Sequence, residues 1–258
     1  MADADEFRLF TTLRFDPVLV DISEKAEFQT AGWNYERSSP IYMLDYHRDR
    51  ISRAASYWQW NQVLELLSGE AGLETLSRVI MDAVGGRDQA RPHRVKVLID
   101  RDGIMTAQAA KVPEVALANL FPELLPEPSH GASKPGAAAR VPLQEPTFAI
   151  LVDVARTDTS EYTHFKTSHR PMYDAARQRT AIALTDQKEV LLVNQRDDTV
   201  MEGSIATPYF WRNGRWVTPP VSFQLGQNAA DSGGNAGTTR RWAVERSVMG
   251  FLVQIVFP

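Results

Sequence analysis

"EYTHFKTSHRPMYDAARQR", residues 161–179, sets one lysine, Lys166, among aromatic, hydroxyl and arginine neighbours and then turns into an amphipathic run. The chain holds six lysines against twenty-two arginines, so its surface cations are chiefly arginine. A lysine in this setting invites a chemical reading. Upstream, "TFAILVDV" (147–154) reads as a buried strand. Downstream, "RPMYDAARQRTAIAL" (170–184) reads as a helix and "EVLLVN" (189–194) as a strand. Lys166 is expected between a strand and a helix.

Further out, "TVMEGSIATPYFWRNGRWVTPP" (199–220) predicts strands with a hairpin turn at Asn213-Gly214. Glu202 lies there among apolar and small residues, where an unpartnered carboxylate is expensive to bury, so a cationic partner is expected. "GGNAGTTRRWAVERSVMGF" (233–251) predicts a glycine-rich loop running into a helix opened by Thr238 and Thr239. Backbone N–H groups and hydroxyls at such a helix start suit a phosphate.

Toward the amino terminus, "DEFRLFTTLRFDP" (5–17) alternates, with Leu9, Thr11, Leu13 and Phe15 on one strand face and Arg8, Phe10, Thr12 and Arg14 on the other. Residues 16–40 have weak periodicity. "SSPIYMLDYHRDRISRAASYWQWNQVLELL" (38–67) predicts a long helix broken once, and "GLETLSRVIMDAV" (72–84) a second. "HRVKVLIDRDGIMTAQAA" (93–110) predicts two strands joined at Asp102-Gly103. The expected organisation is a small α+β domain over 1–121, a Pro-, Gly- and Ala-rich linker over 122–146 and a second domain over 147–258.

Composition narrows the function. A length of 258 residues with 43% hydrophobic content supplies a sizeable core. A net charge of -4 argues against a general polyanion binder such as a nucleic-acid protein, while leaving room for a local phosphate pocket. The absence of cysteine removes disulfides, thiolate metal sites and thiol nucleophiles, and no metal is expected. The acidic start "MADADEFRLF" and the lack of a long apolar run predict a cytoplasmic protein with no membrane partner.

A lysine, a buried carboxylate and a phosphate loop together fit pyridoxal 5'-phosphate. Its aldehyde needs an amine, its protonated ring nitrogen an acidic partner and its phosphate an anion site. The pieces "LFTTLR", "LDYHRDRI", "FKTSHR", "MEGSIATPYFWRNGRWVTPP" and "GTTRRW", in this order, resemble the class IV aminotransferases, the fold type IV pyridoxal phosphate enzymes. The resemblance is closest to fungal aminodeoxychorismate lyase-like proteins.

The resemblance implies a two-domain α+β fold like that of D-amino acid aminotransferase, with a small N-terminal α/β sandwich and a larger β-barrel-like C-terminal domain. It implies that Lys166 carries the cofactor and moves the proton, that Glu202 faces the ring nitrogen, and that Arg50 with Thr238 and Thr239 binds the phosphate. It places Thr12 and Arg14 toward a substrate amine that bears a carboxylate; the alternative for both is a solvated edge strand. His47 reads as a helix-packing histidine, and Tyr42, Trp58, Trp60, Tyr209, Phe210 and Trp211 as packing. Branched-chain members carry a tyrosine five residues after the lysine, where this sequence has Pro171. Members also continue beyond the phosphate helix, whereas this sequence ends in "MGFLVQIVFP", so a shortened second domain is expected. The implied activity is lysis of 4-amino-4-deoxychorismate to 4-aminobenzoate and pyruvate by a homodimer. The alternatives are a class IV aminotransferase acting on an amino acid or amine, and a family member that has lost catalysis.

Overall fold

The computed structural model describes residues 7–86, 89–125, 147–183, 185–226 and 231–246. Most of the expected linker and the apolar tail from residue 247 lie outside the described residues. The chain divides into two units, one of residues 1–123 with 165–169, the other of residues 124–164 with 170–258. Lys166 therefore groups with the first unit.

In the first unit, strands β1 (Leu9–Phe15), β2 (His93–Ile99) and β3 (Met105–Lys111) form an antiparallel sheet in the order β1-β2-β3. Alternation sorts its faces as the pleat requires: Leu9, Thr11, Leu13 and Phe15 are buried, as are Val95, Val97 and Ile99. Helices pack on this sheet, α2 (Leu44–Tyr57) against β1 and α4 (Gly69–Val84) against β2 and β3. The stripe Leu73, Leu76, Ile80 and Val84 buries one face of α4, each such side chain stabilising by about 1.5–3 kcal/mol. The break after α2 falls at Gln59, whose φ of 57° ends the helix before α3 (Asn61–Leu66).

Residues 16–40 contain two 3₁₀ helices, Pro17–Glu24 and Ala26–Ala31, and the short α1 (Trp33–Glu36). A three-residue turn produces neither the 3.6 nor the 2.0 period, which explains the weak pattern. Gly103 takes φ 80° in the β2–β3 turn, where Asp100 Oδ1 accepts from the Asp102 and Ile104 amides at 3.1 and 2.9 Å. Beyond β3 lies α5 (Leu117–Leu120), whose last carbonyl accepts from the Tyr42 hydroxyl at 2.5 Å.

In the second unit, β4 (Ala149–Thr157) pairs in parallel with β5 (Lys188–Asn194), and β5 pairs antiparallel with β6 (Val200–Gly203). Between β4 and β5 run α6 (Glu161–His164) and α7 (Pro171–Arg179), the latter packing on both strands. The core here is Tyr173, Ala176, Ile182, Val190, Leu192 and Met201. Strands β7 (Phe210–Arg212) and β8 (Arg215–Val217) form a separate hairpin whose turn has Asn213 at φ 51° and Gly214 at φ 73°. The positive φ at both turn residues favours Asn-Gly. Helix α8 (Thr238–Glu245) follows the glycine-rich loop.

The expectation that 147–154 forms a buried strand is corrected. A strand does form, but it is the edge of its sheet, and among the described residues Phe148, Ile150, Leu151, Val152 and Val154 are exposed. Under α7 it buries Asp153 instead, whose carboxylate takes a bidentate fork from Arg179 at 2.9 and 2.5 Å. Apolar composition alone did not report that, among the described residues, a neighbouring strand lies on one side only.

Candidate active site

Helix α2 begins under constraint. Met43, the residue before it, sits in the left-handed region at φ 49°, a conformation costing a side-chain-bearing residue about 1–2 kcal/mol. Asn34, fully buried, holds that turn by accepting from the Met43 amide at 2.8 Å and donating to the Ile41 carbonyl at 2.9 Å. The helix is thereby fixed with His47 and Arg50, one turn apart, facing β1.

Both side chains meet one hydroxyl of that strand. Thr11 Oγ1 accepts from Arg50 Nη2 at 2.5 Å and lies 2.6 Å from His47 Nδ1. Arg50 Nη2 is also 3.5 Å from that ring nitrogen. Arg50 is 7% exposed, and its Nε has no hydrogen-bond partner among the described residues. Burial first and the Arg53 charge second push its pKa down to about 9. A buried guanidinium whose bonds go to neutral groups, with one donor unused, is an electrostatic deficit that an anion would fill. His47 is held well below the usual histidine range by burial, then by the charges of Arg50 and Lys166.

Lys166 enters this unit along the outer edge of β1. Its carbonyl accepts from the Phe10 amide at 3.1 Å, and the Ser168 amide donates to the Arg8 carbonyl at 2.8 Å, so the lysine segment extends the sheet. Phe165 anchors it against Tyr57 and Trp58, with ring centroids 4.9 and 5.2 Å away. The Lys166 ammonium lies 4.9 Å from the Phe10 ring centroid, and that of Lys96 lies 4.8 Å from the same ring. Lys96 is directly opposite Thr12 in the β1–β2 register. Arg14 is engaged locally: its Nε donates to Asp16 Oδ2 at 2.8 Å and its Nη2 to the Pro113 carbonyl at 2.8 Å.

In the second unit, Glu202 on β6 accepts from the Tyr173 hydroxyl at 2.5 Å. This phenol is a partner that the sequence alone did not point to. The turn after Glu202 is riveted by Glu189, a buried carboxylate that accepts from the Ser204 amide, the Ser204 hydroxyl and the Ile205 amide at 3.0, 2.6 and 3.1 Å. The glycine-rich loop lies against β6. A Cβ added at Gly234 would stand 2.7 Å from the Met201 carbonyl oxygen, closer than real Cβ atoms come, and 3.2 Å from Glu202 Cβ, a tight contact. Asp231 shapes this loop by accepting from the Gly233 amide at 2.8 Å and the Ser222 amide at 3.0 Å. Helix α8 starts at Gly237 with no side-chain cap, leaving its first amides as donors. Thr238 is buried and Thr239 exposed.

The structure therefore gathers Lys166, Arg50 and His47 in the first unit, and Glu202 with its loop in the second. Three contributors escaped the sequence reading. Thr11 was assigned to the core face, Lys96 was one charge in a strand, and Tyr173 was a helix residue. The signal for Tyr173 was its spacing of three and four residues from Ala176 and Arg177, which puts all three on the buried side of α7.

The chain is similar to a protein from Mesorhizobium loti inferred to be an amino-acid aminotransferase, with 21% identity over 94% of this chain and 84% of that one and a TM-score of 0.55. It is also similar to a hypothetical aminotransferase from Mycobacterium tuberculosis in its apo form, with 14% identity over 96% of this chain and 72% of that one and a TM-score of 0.50. No curated protein sequence matches the chain. Residues 28–250 match the amino-transferase class IV family, and the chain belongs to that family. It is a pyridoxal 5'-phosphate-dependent enzyme of fold type IV. Among the described residues no helix is long and apolar enough to cross a membrane, and no cluster of metal-ligating side chains occurs.

Proposed function

We propose that the enzyme is a lyase of the aminodeoxychorismate lyase type, converting 4-amino-4-deoxychorismate to 4-aminobenzoate and pyruvate in folate precursor synthesis. The observation that carries this reading is the β1–β2 face beside Lys166, where Thr12 and Lys96 stand opposite each other and next to Phe10. A cation and a hydroxyl beside the reactive amine suit a substrate with more than one carboxylate. Arg14, which donates to Asp16 and to the Pro113 carbonyl, would have to exchange the Asp16 carboxylate for the substrate's to take part.

The residues present fit the cofactor. Arg50 has an unused buried donor for the phosphate, and Thr238 and Thr239 open an uncapped helix for the same group. Glu202 is the acidic partner for the ring nitrogen, and Lys166 is the amine that holds the aldehyde carbon. When bound, the cofactor supplies an electron sink for the carbon bearing the substrate amine. Displaced from the aldehyde carbon by the substrate's amine, the freed Lys166 amine would take the proton from the carbon bearing that amine and deliver it to the departing enolpyruvyl group, which would leave as pyruvate while the ring becomes aromatic. The reaction is redox-neutral and needs no second substrate. We place the enzyme in the cytoplasm as a homodimer.

The same residues serve a class IV aminotransferase, which must pass the amine to a keto acid. The test is to supply 4-amino-4-deoxychorismate to cofactor-loaded enzyme with no keto acid. Many equivalents of 4-aminobenzoate per enzyme establish the lyase. Amine transfer that appears only with a keto acid establishes the aminotransferase, and inactivity in both assays a member without catalysis.

A further inference from the structure

The geometry points to Tyr173 as a positioning residue that acts through Glu202, a role that rests on the reading of Glu202 as the ring-nitrogen partner. Tyr173 is 3% exposed and packs among Ala176, Ile182, Val190, Leu192 and Met201. Its hydroxyl donates to Glu202 Oε1 at 2.5 Å and stands 3.3 Å from the Thr163 carbonyl. Arg170 lies over its ring, 4.0 Å from the centroid, and donates from Nη2 to the Ser204 carbonyl at 2.5 Å, two residues beyond Glu202. Tyrosine, arginine and the turn after the carboxylate are thus locked together.

A core tyrosine needs a partner for its hydroxyl, and a backbone carbonyl normally suffices. Here the hydroxyl takes the carboxylate at the shorter distance. Burial and then the Glu202 charge drive the phenol well above its ordinary pKa, so it remains a donor wherever the enzyme works. A permanent donor on Oε1 fixes the carboxylate's rotation and favours its ionised form, the form a protonated ring nitrogen requires. Without it, Glu202 would lose one donor to its ionised form and bind a proton more readily.

The test compares cofactor-loaded wild type, Tyr173→Phe, Glu202→Gln and the double variant in steady-state turnover. It adds the pH dependence of the absorbance of lysine-bound cofactor. Tyr173→Phe keeps the ring that packs the core, so the expected result is a kcat about tenfold lower with KM little changed, the scale of one lost hydrogen bond to a charged group. The absorbance transition should shift with it. In the Glu202→Gln background the same change should alter kcat by less than about twofold, because the residue it acts through is already neutral. Equal losses in both backgrounds, or an unchanged kcat in the single variant, would overturn the role and leave Tyr173 a packing residue. Full turnover by Glu202→Gln would overturn the assignment of Glu202 and the role of Tyr173 with it. With Tyr173 left in place, tyrosine labelled at ¹³Cζ gives a second readout: the Tyr173 resonance should move between wild type and Glu202→Gln, and a resonance that stays put contradicts the coupling.

Discussion

The hydroxyl of Thr11 accepts from Arg50 Nη2 at 2.5 Å and stands 2.6 Å from His47 Nδ1. Arginine has only donors to offer, so Thr11 Oγ1 is the acceptor in that bond, and its contact with His47 Nδ1 is a second hydrogen bond whose direction follows the imidazole tautomer. Burial and the neighbouring cations favour the neutral imidazole, and Arg50 is held with its Nε lacking a partner among the described residues. Thr11→Val would strip both partners of this bond while keeping the shape. It should cost about 1.5–3 kcal/mol, the range for a hydrogen bond to a charged group, read as a lower denaturant midpoint. Thr11→Ser keeps the hydroxyl and should recover most of the loss.

Acid should expose the same cluster. The folded pKa of His47 lies well below its unfolded value of about 6.5. Below that value the unfolded chain takes up a proton that the native chain refuses. The stability His47 contributes is present above about pH 6.5 and is lost as pH falls toward the folded pKa, by up to about 1.4 kcal/mol per pH unit. Unfolding free energies from pH 7 to 5, with and without His47→Gln, measure it; the variant should show the shallower slope.

Cofactor affinity separates the phosphate donors. Arg50→Ala should weaken pyridoxal phosphate binding by about 1.5–3 kcal/mol, since a charged donor is lost. Thr239→Val removes a neutral hydroxyl and leaves the helix amides, so about 0.5–1.5 kcal/mol is expected. The proposal that both serve one anion predicts that the double variant departs from additivity in equilibrium titrations at fixed salt.

Where a local pattern determined the structure, the sequence was legible. The alternation of residues 9–15, the Asp102-Gly103 and Asn213-Gly214 turns and the stripe of α4 each follow from side-chain period or backbone conformation. Lys166, Glu202 and the loop before Thr238 stood out by residue type. What escaped depends on pairing at a distance. Thr11 has the spacing of a core residue, and only the packing of α2 on β1 turns its hydroxyl into a junction. Tyr173 and Glu202 are 29 positions apart. The exposure of β4 depends on which strands flank it, something no apolar run encodes.

Gly234 tests the close approach of the loop to β6. Its Cβ would meet the Met201 carbonyl at 2.7 Å, a backbone atom that cannot swing aside, so Gly234→Ala must push the loop off the strand carrying Glu202. A destabilisation of about 1–3 kcal/mol is expected, as for overpacking elsewhere, with weaker cofactor binding in the same titration.

The account turns on Lys166 as the residue that holds the cofactor. The direct measurement is borohydride reduction of loaded enzyme, digestion and mass spectrometry of the modified peptide, repeated on Lys166→Ala. Modification of Lys166 in wild type and none in the variant is the predicted result. Label on Lys96, which shares the Phe10 ring with Lys166, or on Lys188 in place of Lys166 would contradict it.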